Sequence, residues 1–156
     1  MTIFKNKVIM IVDDSMHMRM IVGQILRALP VKRTVEAAGS VEALERLHYE
    51  PVDAIIVDYR MEPLDGVEFV RMLRTAPDSP APKVPILMMT GHTERSRVLA
   101  AREAGVTGFM AKPVSARLLT ERLGMVIGNG SYKPPQQAAP PAPIEEDSEE
   151  DSYFLV

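Results

Sequence analysis

The sequence predicts an α/β domain over residues 1–128, a five-stranded parallel sheet doubly wound with helices on both faces. Three observations carry this reading. Short β-rich runs alternate with stretches whose apolar residues recur at helical spacing, which is the pattern of a sheet covered by helices. The strand candidates are largely continuous apolar runs, as expected of strands buried on both faces. Two of these runs close on carboxylates: Val8 to Val12 ends at Asp13-Asp14, and Ala54 to Val57 ends at Asp58.

The elements follow in order. The first strand is Val8–Val12. Met18, Ile21, Val22, Ile25, Leu26 and Leu29 then form a one-sided helical stripe that no strand would produce. Strand two is Thr34–Ala38, and a helix opening at Ser40 should turn Val41, Leu44 and Leu47 inward. Strand three is Ala54–Val57. The third helix begins near Asp65, where Asp65 and Glu68 have capping-box spacing and Val67, Val70 and Leu73 give the apolar side. Strand four is Val84–Met89. A helix follows Thr93 and stops at Gly105, a residue suited to a left-handed cap. Strand five is Gly108–Ala111, and the last helix starts after Ser115 and buries Leu119, Leu123, Val126 and Ile127.

Past Gly128 the composition changes. Gly-Asn-Gly-Ser leads into Pro134-Pro135, Pro140-Pro141 and Pro143, and then into an acidic run. Such a segment buries too little apolar surface to offset its ordering entropy, so residues 129–156 are expected to form a disordered Pro-rich, acidic tail. The net charge of −3 conceals this division. From Asn129 onward six acids face Lys133 alone, leaving 17 basic and 15 acidic residues in 1–128. That small excess argues against nucleic acid, which needs a concentrated basic face. The absence of Cys excludes disulfides and thiolate metal sites. No run approaches the roughly 20 apolar residues of a membrane span, and the first residues do not resemble a secretion signal. A soluble, cytoplasmic protein is expected, with no membrane insertion.

In open α/β sheets, ligands bind outside the carboxyl ends of the strands. The conspicuous polar residues fall at such ends: Asp13, Asp14, Asp58, Thr90 and Lys112. Three like charges at one sheet edge repel unless a cation joins them, and oxygen ligands favour a hard divalent ion. Three acids, a hydroxyl and an ammonium suit phosphoryl transfer, in which cations neutralise the phosphoryl oxygens while a carboxylate attacks in line.

Asp13-Asp14-Ser15, Asp58 with Met61 and Asp65-Gly66, Thr90-Gly91 and Lys112-Pro113, in this order and spacing, resemble the receiver domain of bacterial two-component response regulators of the stand-alone CheY type. The resemblance implies a flavodoxin-like (βα)5 fold with strand order 2-1-3-4-5 and a phosphoryl group accepted on Asp58. It implies Mg²⁺ held by Asp14, Asp58 and the backbone carbonyl of Arg60, with Asp13 acting through water. Thr90 would bond the phosphoryl oxygens and move inward, Lys112 would pair with them, Phe109 would be the switch aromatic, and the Lys112-Pro113 peptide would be cis. The implied partners are a sensor histidine kinase or histidine phosphotransfer protein and an unknown downstream target bound by the face of helix four, strand five and helix five. The chain would be a phosphoacceptor rather than an enzyme, with slow self-dephosphorylation at most. With no output domain following, transcription control by the chain alone is not expected.

The chain departs from the family pattern at Glu62, where proline is usual, with Pro63 one place later; Glu62 and His92 occupy positions that tune phosphoryl lifetime in relatives. Simpler roles compete at several residues. Asp14 or Ser15 would serve as a cap for the first helix, Asp65 reads better as a helix cap, and Phe109 also suits a core. His17, His48 and His92 lack metal-ligand spacing. Arg95, Arg97, Arg102, Arg117 and Arg122 suit a solvated basic face, or one to which the acidic tail returns. Among rival functions, a phosphatase of the haloacid dehalogenase type needs a second Asp where Arg60 stands. A nucleotide- or flavin-binding protein needs a phosphate loop where Asp13-Asp14 would repel the ligand. A phosphate sink or phosphorelay intermediate without a target keeps the same fold and site.

Overall fold

The computed structural model describes residues 2–91, 95–128 and 132–134. Five strands, β1 (Val8–Val12), β2 (Arg33–Ala37), β3 (Ala54–Asp58), β4 (Ile86–Thr90) and β5 (Gly108–Ala111), form a parallel sheet in the order β2-β1-β3-β4-β5. The helices α1 (Met16–Arg27), α2 (Ser40–Leu47), α3 (Gly66–Thr75), α4 (Arg95–Ala104) and α5 (Ala116–Gly128) alternate with them, after a short 3-10 turn at Thr2–Phe4. The fold class and strand order agree with expectation. Every residue of the three central strands is buried, whereas β2 and β5 at the edges are partly exposed.

Some strand boundaries differ from the sequence reading, and the differences matter for the site. β2 lies one residue earlier than expected. β4 begins two residues later, at Ile86, because Pro85 has no N–H to give the ladder and contributes only its carbonyl, which accepts from the Ile55 N–H at 2.9 Å. At their far ends β3 and β4 run on to include Asp58 and Thr90, so both site residues are held by strand pairing rather than carried on loops.

Two apolar layers sandwich the sheet. α2, α3 and α4 pack over one face, which presents Met10, Val57 and Met88, while α1 and α5 cover Ile11, Ile56 and Met89 on the other. Phe69, fully buried on α3, belongs to the first layer and joins the expected Val67, Val70 and Leu73. The four residues expected to be buried on α5 are all buried. α2 corrects the reading at one position: Val41 is 48% exposed, whereas Leu47 is buried and Leu44 packs against the core as expected, joined by Ser40 and Ala43. The Ser40 hydroxyl donates to the Leu64 carbonyl at 3.0 Å, which holds Ser40 inward at the start of the helix.

Helix ends match their chemistry. Ser15 caps α1 by accepting from the Met18 N–H, and Asp65 and Glu68 form a complete capping box on α3. Gly105, at φ 107°, turns the chain out of α4 in the conformation only glycine adopts without strain. Thr93 lies outside the described residues, as do most of 129–156. Within that last segment Tyr132 is half-buried against the α2–α4 layer, so an aromatic contact extends the folded unit past α5. No helix among the described residues is long and apolar enough to cross a membrane.

Candidate functional site

Strand register assembles the acidic residues. Val12 pairs with Val57, so the chain leaves β1 as Asp13-Asp14 beside the Asp58 that ends β3. Asp13 and Asp58 are buried and Asp14 is exposed, and one carboxylate oxygen from each lies within 4.8 Å of the other two. This convergence of three carboxylates is the arrangement expected from sequence.

Asp13 is fixed on three sides. Its N–H donates to the Ala37 carbonyl at 3.2 Å, its carbonyl accepts from Arg19 Nη1 at 2.7 Å, and its Oδ1 accepts from the Ser15 N–H at 2.9 Å. Its other oxygen, Oδ2, is buried with no hydrogen-bond partner among the described residues. Burial pushes the Asp13 carboxyl up to about 6, the Ser15 N–H opposes this, and the Asp58 charge adds to it. Because Ser15 supplies the cap of α1, Asp14 is left to face the cluster.

Lys112 answers the negative charge. Its Nζ lies 2.9 Å from Asp58 Oδ1, and the Asp58 side chain is only 6% exposed. β4 and β5 deliver the pair partners: Thr90 pairs with Ala111, and the Lys112 N–H donates to the Thr90 carbonyl at 2.8 Å. Thr90 is itself buried at the end of β4. The Lys112-Pro113 peptide is cis as expected, and Glu62-Pro63, which the sequence did not single out, is cis as well. Phe109, three residues before Lys112, is half-buried and packs against the α2–α4 layer without being enclosed by it.

The loop from β3 to α3 forms the remaining wall. A cleft of about 380 Å³ is lined by Asp14, Tyr59, Arg60, Met61, Glu62 and Asp65. Gly66 lets α3 begin directly under the strand end, since a Cβ there would stand 2.5 Å from the Asp58 carbonyl oxygen and 3.1 Å from Tyr59 Cα. Asp65 is committed to its capping box, its Oδ1 accepting from the Glu68 N–H at 2.8 Å.

The donors suit a hard divalent cation. They are all oxygens, they converge, and the buried Asp13 Oδ2 has no other partner among the described residues. His17 and His48 are exposed and outside this cluster, and His92 lies outside the described residues. Sequence reasoning missed Tyr59, whose ring carries the guanidinium of Arg97 from α4 at 5.4 Å from the centroid. Its only local signal was an aromatic residue directly after the central carboxylate.

Comparison with known proteins agrees with this geometry. Residues 9–124 match the family model described as the response regulator receiver domain. The chemotaxis protein CheY of Pseudomonas aeruginosa is 35% identical over 119 residues, which cover 76% of this chain and 94% of that protein. Chemotaxis protein CheY-3 of Vibrio cholerae is 34% identical over 123 residues, covering 79% and 93%. Among solved structures, chemotaxis protein CheY4 of Vibrio cholerae superposes with a TM-score of 0.72 at 30% identity, over 78% of this chain and 98% of that one. The receiver domain of a sensor histidine kinase from Pseudomonas aeruginosa, solved with a magnesium ion coordinated in its active-site cleft, gives 0.69 at 27% identity, over 79% and 98%. The chain belongs to the response regulator receiver domain family and is CheY-like.

Proposed function

We propose that this chain is a phosphorylatable switch of a two-component phosphorelay, carrying its phosphoryl group on Asp58. The observation that supports this most is the Lys112–Asp58 contact of 2.9 Å at the centre of a three-carboxylate cluster. An Asp58 oxygen attacks phosphorus in line. The bond from phosphorus to the donor's imidazole nitrogen breaks, its electron pair stays on that nitrogen, and an acyl phosphate remains on Asp58. The donor is a sensor histidine kinase or a histidine phosphotransfer protein, and the cytoplasm, where such kinases meet ATP, is the setting.

Asp13, Asp14, Asp58 and the Arg60 carbonyl would hold Mg²⁺, a reading supported by the magnesium in the related receiver domain. When bound, Mg²⁺ supplies positive charge that neutralises the cluster and the incoming phosphoryl oxygens. Lys112 exchanges its Asp58 carboxylate contact for a phosphoryl oxygen. Thr90 donates its hydroxyl to another, and the strand end it occupies couples this to β5, where Phe109 follows. The chain itself is an acceptor and not an enzyme acting on small molecules. Its output is binding of a downstream protein through α4, β5 and α5.

Beryllofluoride, which mimics the phosphoryl group on Asp, separates switching from loading. With Mg²⁺ it should shift amide signals through α4 and β5 in the wild type, whereas Thr90→Ala should bind it with a reduced response in those elements. Pull-down with and without beryllofluoride should retrieve a protein only in the loaded state. An equal response in Thr90→Ala would remove Thr90 from the switch, and retrieval of no partner would favour a phosphate sink.

A further inference from the structure

We propose that the groove between β5 and α5 is the seat of this chain's own acidic segment, Glu145 to Val156, which thereby covers the face that a downstream protein would bind. That the covered face is the output face rests on the proposed function, whereas the contact itself stands on the groove and the segment. The groove, of about 180 Å³, is lined by Thr107, Gly108, Phe109, Arg122, Met125 and Val126. Gly108 lets α5 close on β5 here, since a Cβ would stand 2.7 Å from Val126 Cγ2. Met125 is 57% exposed, so an apolar wall of the groove faces solvent.

Charge and route decide the occupant. Arg122 is the one charged residue of the lining. By contrast, the cleft beside Asp14 also carries Glu62 and Asp65, and the groove between α2 and α3 carries Asp78. A segment with six carboxylates and no base is repelled by those acids and attracted by Arg122. Its acids run directly into Tyr153-Phe154-Leu155-Val156, apolar residues that can bury against Phe109 and the adaptable Met125. The route is short. Tyr132 packs on the α2–α4 layer, where Arg74 and Asp53 act on its hydroxyl. Arg74 in turn donates through Nε and Nη2 to the Gly105 carbonyl at 3.1 and 3.0 Å. The chain beyond α5 is thus held near the turn from α4 into β5, and the groove begins at Thr107, just past Gly105. The Pro-rich residues 135–144 span up to about 30 Å when extended, against a radius of gyration of about 14 Å for a domain of this size. The acidic segment therefore reaches the groove.

The chain has no Cys, so Ser152→Cys gives the full chain one attachment site for a nitroxide. The nitroxide should broaden the amides of Thr107, Gly108, Phe109 and Met125 and leave those of α1 and α2 sharp. Phe154→Ser should weaken the contact about tenfold. Arg122→Glu should weaken it roughly two- to fivefold, and salt at about 0.5 M should do likewise. No broadening in the groove, broadening spread evenly over the surface, or undiminished broadening in Phe154→Ser would overturn the proposal. So would broadening of an isotope-enriched copy without nitroxide mixed with the nitroxide-bearing copy, which would seat the segment on a second molecule. Loading with Mg²⁺ and beryllofluoride is read in the same samples from the amides next to Asp58. Absence of the groove contact with loading intact overturns this inference and leaves the proposed function standing. Absence of loading with the contact intact overturns the proposed function, and with it the claim that the covered face is the output face.

Discussion

Lys112 Nζ lies 2.9 Å from Asp58 Oδ1, while Asp13, the other buried acid of the cluster, has an oxygen with no partner among the described residues. The resting site is thus half neutralised. One carboxylate has a counter-ion, and the charge of its neighbour is opposed by burial. This asymmetry makes the site receptive to a cation and sets how its members should respond to substitution.

Removing the ammonium should expose the cost of the buried acids. Lys112→Ala is expected to destabilise the metal-free protein by about 1–3 kcal/mol, less than a fully buried pair because Lys112 is 28% exposed. Urea melts in chelator should show the loss, and Mg²⁺ should restore part of it. A variant as stable as wild type in chelator would mean that the pair contributes nothing at rest.

Asp13 gives a pH signature. Its carboxyl is raised from 3.8 to about 6 in the folded protein, so between those values the native state keeps a proton that the unfolded chain has lost. Stability of the metal-free protein should therefore fall as pH rises through this window and remain lower above it, by up to about 3 kcal/mol for this one group. Asp13→Asn keeps an oxygen for the Ser15 N–H, so it should flatten the slope and be more stable at pH 7 in chelator. Denaturant melts at several pH values check this, and an unchanged slope would refute it.

Gly66 should tolerate no side chain. A Cβ 2.5 Å from the Asp58 carbonyl oxygen forces β3 and α3 apart, and overpacking of this kind costs about 1–3 kcal/mol. Gly66→Ala should lower the unfolding free energy from denaturant melts by that amount and perturb the Asp58 and Tyr59 amides.

Asp65 should matter for stability and not for loading. Asp65→Ala removes the half of the capping box in which the Asp65 carboxylate accepts from the Glu68 N–H, leaves the Asp65 N–H bond to Glu68, and should cost about 0.5–2 kcal/mol. Its labelling by acetyl phosphate should equal that of wild type at a temperature where both are folded. Loss of labelling would instead make Asp65 part of the site.

Much of this architecture was legible in the sequence because the signals are local. The β1 run, the α3 capping box, the Gly105 stop and the buried set of α5 each depend on residues a few positions apart. The acidic cluster was legible because a parallel sheet puts strand ends side by side. What escaped depends on contacts between distant segments. Val41 was placed inward because apolar spacing counts residues and does not see the Ser40–Leu64 hydrogen bond that holds its neighbour Ser40 inward. The Arg97–Tyr59 contact joins α4 to the end of β3 with α3 and β4 in between, and no spacing rule announces it. The unequal burden on Asp13 and Asp14 likewise appears only once burial is known.

The central claim, that Asp58 accepts a phosphoryl group within a cation-dependent acidic site, is tested most directly by intact-mass measurement after incubation with acetyl phosphate. The account predicts one phosphoryl adduct on the wild type with Mg²⁺, none in excess chelator, and none on Asp58→Asn under either condition. An adduct that persists on folded Asp58→Asn, or that forms on the wild type at full yield without a divalent cation, would contradict it.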